Sequence, residues 1–138
     1  METEKRGLGI VFHSGSYDRL LHGMSIAQAA SAFGRKVMLF FTYWSLEYLK
    51  RDAPSSAEDS QGDSAHFQLI SKNIREGHLE SLSELFSEAR ALGAEFYTCS
   101  NSMSLLNISR GELIEEVDRP MGLTTFLSKT AEYQILFI

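Results

Sequence analysis

Five consecutive apolar residues, Val37-Met38-Leu39-Phe40-Phe41, lie between Lys36 and Thr42. A run this short leaves no room for a helix with caps of its own. It also lacks the alternation of a strand with one wet face, so it reads as a strand buried on both sides. Leu8-Gly9-Ile10-Val11-Phe12-His13 repeats the pattern and ends at the turn residues Ser14-Gly15-Ser16. Between the two runs, Tyr17, Leu20, Leu21, Met24 and Ala27 recur at helical spacing opposite Asp18, His22 and Ser25, with Ser16 as N-cap and Gly34 as a stop after Phe33. Strand, helix, strand of this length requires a right-handed crossover between parallel strands.

The alternation continues. Thr42 to Leu49 reads as the end of the second strand turning into a short helix. Residues 51–64, with Pro54, Gly62, several serines and four acidic residues, read as a mobile surface loop. Residues 65–77 fit one or two helical turns. Leu79, Leu82, Leu85, Phe86, Ala89 and Leu92 then form an amphipathic helix stopped by Gly93. Ala94 to Thr98 is a third strand that delivers Cys99 at its carboxyl end, before a short helix over Ser100 to Leu106 capped by Ser100. Glu112 to Glu116 reads as helical, with a brief strand near Val117 and a turn at Pro120-Met121-Gly122. Leu123, Phe126 and Leu127 mark a last helix, and Tyr133 to Ile138 a closing buried strand. The expected architecture is one domain over residues 1–138, a three-layer α/β/α sandwich around a mostly parallel sheet of about five strands.

Composition narrows the function. The formal charge is -5 over 138 residues and Lys and Arg are scattered, which is not the footprint of a nucleic-acid binder. No apolar run approaches a membrane span, and Met1 to Arg6 lack the apolar stretch of a secretory signal. A single cysteine closes no internal disulfide, and the combination leads to an expected cytoplasmic location with no membrane partner. Gly7-Leu8-Gly9 precedes its strand instead of following it, so it is no dinucleotide fingerprint, and one cysteine with four scattered histidines offers no zinc spacing. Neither a metal nor a cofactor is expected.

In open parallel sheets, ligands bind outside the carboxyl ends of the strands. The loops there carry His13-Ser14-Gly15-Ser16, Thr42-Tyr43-Trp44, Cys99-Ser100-Asn101-Ser102 and Met121-Gly122. Cys99 leads, because a thiol between a strand end and a helix start meets unpaired backbone N–H groups and a positive dipole end, which favour thiolate. The alternative is a buried cysteine packing as a small hydrophobe. His13 would serve as its proton acceptor if their two strands are neighbours, and otherwise caps local backbone. Tyr43, Trp44 and Tyr48 line a pocket, cover a subunit contact or belong to the core.

Four stretches, taken in order and spacing, resemble the DsrE/DsrF-like family, in its DsrE-related branch often labelled peroxiredoxin-like. They are Ile10 to Asp18, Phe40 to Leu46, Tyr97 to Met103 and Gly122 to Leu127 before the terminal strand. The resemblance implies a parallel α/β sandwich that forms homo-oligomers, with a cysteine that accepts and passes sulfane sulfur as a persulfide, in company with TusA-like or rhodanese-like partners. By this likeness Cys99 carries the sulfur, and Ser102 and Met103 match the motif that follows it. Asn101 stands where methionine is frequent, Ser104 where aspartate is common and Asn107 where glycine is expected. His13, Ser14, Gly15, Thr42, Trp44, Asn101, Ser102 and Met103 form the expected substrate-orienting set around Cys99. The rival expectation is a non-catalytic oligomeric binding module with an inert Cys99. Peroxide reduction is a third reading and requires a resolving thiol from a partner.

Overall fold

The computed structural model describes residues 5–53 and 64–138. Most of the loop expected at 51–64, positions 54–63, lies outside the described residues. Five strands, β1 (Leu8–Phe12), β2 (Val37–Phe41), β3 (Glu95–Cys99), β4 (Arg119–Met121) and β5 (Gln134–Phe137), pair in parallel in the order β4-β3-β2-β1-β5. The helices are α1 (Tyr17–Ala32), α2 (Ser64–Arg75), α3 (Leu82–Ala91), α4 (Ser100–Leu106) and α5 (Leu123–Lys129), with 3-10 turns at Tyr43–Leu49 and Arg110–Glu112. The expected α/β sandwich is therefore present, and its described sheet is wholly parallel.

All five residues of β2 are buried, as its unbroken apolar run requires of a central strand. Its last two residues point to opposite faces and found two unequal layers. On the first face the Phe41 ring stacks on Phe12 (centroids 4.7 Å apart) and on Phe96 (5.9 Å), and Phe86 of α3 meets it edge-on. There α1 buries Tyr17, Leu20, Leu21, Met24, Ala27 and Ala30, and α3 buries Leu82, Leu85, Phe86 and Ala89. On the second face the Phe40 ring stacks on Phe126 of α5, 4.5 Å apart and nearly coplanar at 9°. That layer consists of Met38, Phe40, Tyr97, Cys99, Met121 and Phe126, and Phe126 is the one side chain that α5 buries. At roughly 1.5–3 kcal/mol for each large apolar side chain removed from water, the first face carries most of the stability.

Length explains the imbalance. A helix of seven residues is about 10 Å long and a sheet of five strands about 19 Å across, so α5 cannot roof the whole second face. The closing strand, expected to be buried, is consequently an edge beside β1 with Ile135 41% and Phe137 72% exposed. Pro120, expected in a turn, sits inside β4, where an edge strand leaves one side of its backbone unpaired and tolerates the missing N–H. Just before it, the Asp118 carboxylate accepts from the Phe96 N–H (2.8 Å) and pairs with Arg90 (2.8 Å), fastening the start of β4 to β3 and α3.

Three local expectations shift. The helical segment expected at Glu112 to Glu116 is a 3-10 turn at Arg110–Glu112, closed by Ser109, whose N–H and hydroxyl both donate to the Glu112 carboxylate (3.0 Å each). Helix α3 begins at Leu82 and not Leu79, because the Ser81 hydroxyl accepts from the Glu84 N–H (3.2 Å) and fixes the start there. Ser16 is the N-cap residue of α1, but its hydroxyl donates to the Asp18 carboxylate and makes no cap bond to the helix backbone.

Gly23 of α1 lies directly over β1, where a Cβ would fall 2.3 Å from Phe12 Cε1 and 2.9 Å from Ile138 Cδ1. Gly23→Ala is expected to lose about 2 kcal/mol in urea denaturation, overpacking outweighing the helix-propensity gain of about 1 kcal/mol. Gly111→Ala, with open space around it, should stay within about 0.5 kcal/mol. Equal stability of the two variants would show that α1 does not pack this closely on β1.

Candidate functional site at the carboxyl edge of the sheet

The strand register sets out a row of side chains at the carboxyl edge. Phe12 pairs with Phe41, Phe41 with Thr98, and Cys99 with Met121. One residue further along, His13 and Thr42 extend the row, so His13, Thr42, Cys99 and Met121 alternate onto the face that α5 covers. Because β2 separates β1 from β3, the backbones of His13 and Cys99 stand two strands, about 10 Å, apart. The neighbouring of strands on which a His13 and Cys99 pair depended is not made. The His13 ring packs instead beside Tyr43 (4.6 Å) and Phe137 (5.8 Å).

Cys99 ends an interior strand and is 7% exposed, in the layer formed with Phe40, Tyr97, Met121 and Phe126. It is also the N-cap residue of α4, replacing the expected Ser100, yet its side chain makes no cap hydrogen bond. Strand alternation turns the sulfur onto the second face, so the expected contact between thiol and unpaired helix N–H groups is not formed. The residues after it diverge. Asn101 is exposed, whereas Ser102 and Met103 are buried. The Met103 sulfur accepts from the Thr98 hydroxyl at 3.1 Å, and Met103 belongs to the first-face core. Asn107 closes α4 in the left-handed region (φ 54°), which accounts for glycine being expected there, since asparagine is among the few residues that tolerate it.

The other residues of the expected set hold the edge together. The Ser14 hydroxyl accepts from the Ser16 N–H (3.0 Å), and the buried Thr42 hydroxyl donates to the Phe12 carbonyl (2.8 Å). Gly15 admits Trp44, whose Cβ would lie 2.9 Å from a Cβ at that position, and its carbonyl accepts from the Tyr48 hydroxyl (2.9 Å). The aromatic trio divides accordingly: Tyr48 is core, while Tyr43 and Trp44 are 43% and 48% exposed. Tyr43 takes a left-handed φ of 49°, unusual for a large side chain, at the start of the 3-10 turn two residues beyond β2 and against His13 and Trp44.

Met121 lies in one of the loops expected at the carboxyl edge, and the strand order sets it beside Cys99. Tyr97 and Phe126 of the same layer are outside the expected set. Tyr97 was legible from alternation, since it lies two positions before Cys99 on the same strand; Phe126 was not, because only the tertiary fold brings α5 to the layer. The Tyr97 hydroxyl donates to Glu95 (2.9 Å) and Arg119 lies over its ring (5.5 Å). Burial, reinforced by the Glu95 carboxylate, pushes the phenol up to about 12. Among the described residues no three His, Cys, Asp or Glu side chains gather into a metal site. A cavity of about 700 Å³ lies on the first face, lined by Tyr17, Tyr48, Lys50, Leu82 and Glu116, and does not reach Cys99.

The model of the DsrE/DsrF/DrsH-like family matches residues 4–72 and 61–138, and the chain belongs to that family. It is 23% identical over 161 residues to the uncharacterized protein YrkE of Bacillus subtilis, covering all of both chains. It shares its fold with MTH1491 of Methanobacterium thermoautotrophicum, a protein of unknown function, at a TM-score of 0.68 and 14% identity over 97% of this chain and 100% of that one. The ychN protein of Escherichia coli gives a TM-score of 0.62 and 15% identity over the same shares.

Tyr97 gives the site a reading at high pH. Between its ordinary value of 10.0 and about 12 the folded chain keeps this phenol protonated while the unfolded chain releases the proton. The unfolded state then binds fewer protons, so stability falls as pH rises through that window. Tyr97→Phe is expected to remove one late component of the ultraviolet tyrosinate titration and to flatten the stability loss between pH 10 and 12. An unchanged titration in the variant would place the late phenol elsewhere.

Proposed function

We propose that the protein carries sulfane sulfur as a persulfide on Cys99, acting as a sulfur carrier or sulfurtransferase. The observation that supports this best is the position of the one cysteine, at the carboxyl edge of an interior parallel strand and on the thinly covered face. Membership of the DsrE/DsrF/DrsH-like family supports the same reading at the coarser level. The Cys99 thiolate attacks the outer sulfur of a donor persulfide, R–S–SH. The donor S–S bond breaks, R–S⁻ leaves with its electron pair, and Cys99–S–SH forms; an acceptor thiolate repeats the step and regenerates the Cys99 thiolate, with no net oxidation. Donors and acceptors of the TusA-like and rhodanese-like kinds fit this exchange. Thr42 and Met121, on the strands that flank Cys99, orient the incoming disulfur group, with His13, Trp44 and Asn101 at the rim.

Assembly belongs to the proposal. Ile135 and Phe137 of the edge strand β5 leave apolar surface exposed on the second face, beside α5 and not on it, and copies of the chain cover it in a homo-oligomer. Among the described residues no helix is long and apolar enough to cross a membrane.

A second reading has its own support. Cys99 is 7% exposed among apolar neighbours, as an inert packing cysteine would be, and the protein is then a binding module with no thiol chemistry. Burial of this depth lowers a reaction rate without forbidding reaction, because a state open in one molecule in about a hundred still reacts at about a hundredth of the free rate.

Incubation with polysulfide, or with thiosulfate and a rhodanese, is expected to add sulfur to the intact mass of the wild type and not to Cys99→Ser. Native mass spectrometry of the same samples reads subunit number and should find more than one chain per particle. Absence of the adduct with every donor leaves the binding module, and a monomer at micromolar concentration removes the assembly.

A further inference from the structure

We infer that α5 is a hinged cover over Cys99, pinned by one aromatic contact, and that its opening sets the access of reactants to the thiol. In the buried layer that holds Cys99, the one helical side chain is Phe126, stacked on Phe40. Every other residue of α5 is exposed, Leu123 and Leu127 included, at 52% each. The helix follows directly on the Met121 that pairs with Cys99, through Gly122, around which the structure is open. At its far end the Thr130 hydroxyl and N–H both return to the Phe126 carbonyl, so that end stays closed upon itself when the helix lifts. The chain crosses from β4 at one sheet edge to β5 at the other, which leaves α5 as a strap attached at both ends and anchored once in between.

The contrast with the first face makes this a local event. Opening α1 or α3 means uncovering several buried side chains together with the Phe12, Phe41 and Phe96 stack. Opening α5 uncovers one ring, and local openings of this kind occur well below the cost of global unfolding. That the admitted reactant is a sulfane-sulfur donor rests on the function proposed above. That the helix controls access does not.

The chain contains one cysteine, so alkylation by iodoacetamide reads Cys99 alone. In the full-length protein, Phe126→Ala is expected to speed labelling on the order of 100-fold and Phe126→Leu by less. Phe86→Ala, which removes a buried ring of the first face, should leave the labelling rate of the folded protein within about threefold of wild type. Equal acceleration by Phe126→Ala and Phe86→Ala would mean that the thiol is reached through global unfolding, and no acceleration by either Phe126 variant would mean that it is open already. Both results overturn the cover. If Phe126→Ala does not fold, Phe126→Leu against Phe86→Ala decides the same question. Labelling that follows Phe126 without any sulfur adduct would keep the cover and reject the sulfur carrier, and an adduct indifferent to Phe126 would do the reverse.

Discussion

Two adjacent phenylalanines on the central strand hold the structure together, and they face opposite ways. Phe41 joins Phe12 and Phe96 in a stack roofed by α1 and α3, while Phe40 has the single ring of Phe126 above it. A parallel sheet needs both faces dry. This one achieves that on one side with a broad helical layer and on the other with a seven-residue helix that reaches about half the sheet's width. The exposed Ile135 and Phe137 follow from that shortfall.

The thin face holds the sulfur. Burial of one phenylalanine at roughly 1.5–3 kcal/mol, with about 0.5–1.5 kcal/mol for its stack, makes the contact that seats α5 worth about 2–4 kcal/mol. Such a contact keeps a thiol out of water in the resting protein and still lets it appear in one molecule in about thirty to a thousand. Both properties would suit the persulfide proposed above, which bulk water and stray thiols would otherwise consume. The left-handed Tyr43 two residues beyond β2, with its ring against His13, adds a strained aromatic rim beside the same row.

Much of this was written in short stretches of sequence. The unbroken run Val37 to Phe41 announced a strand buried twice over, and the spacing of Tyr17, Leu20, Leu21 and Met24 announced the helix that returns over it. Cys99 was placed at a strand end from its position between Phe96 and Met103. What the residues did not disclose is lateral order. Strand periodicity carries no information on neighbours, so a pairing of His13 with Cys99 stays conditional in the sequence until the strand order puts β2 between them, and the apolar closing strand reads as buried although it is an edge. Pro120 misled for a related reason: proline is foreign to central strands, and only the knowledge that β4 is an edge makes it welcome. Tyr48 and Trp44, four residues apart, could not be told apart as core and rim without the turn at Gly15 that seats both.

Hydrogen exchange followed by mass spectrometry tests the inequality of the two faces most directly. Amides of α5 are expected to exchange through a local opening that is insensitive to low concentrations of urea, while those of α1, β2 and α3 exchange only with the urea dependence of global unfolding. Protection in α5 equal to that in α1, with the same urea dependence, would show one cooperative unit closed alike on both sides, and the thiol would then lie behind a wall and not a cover.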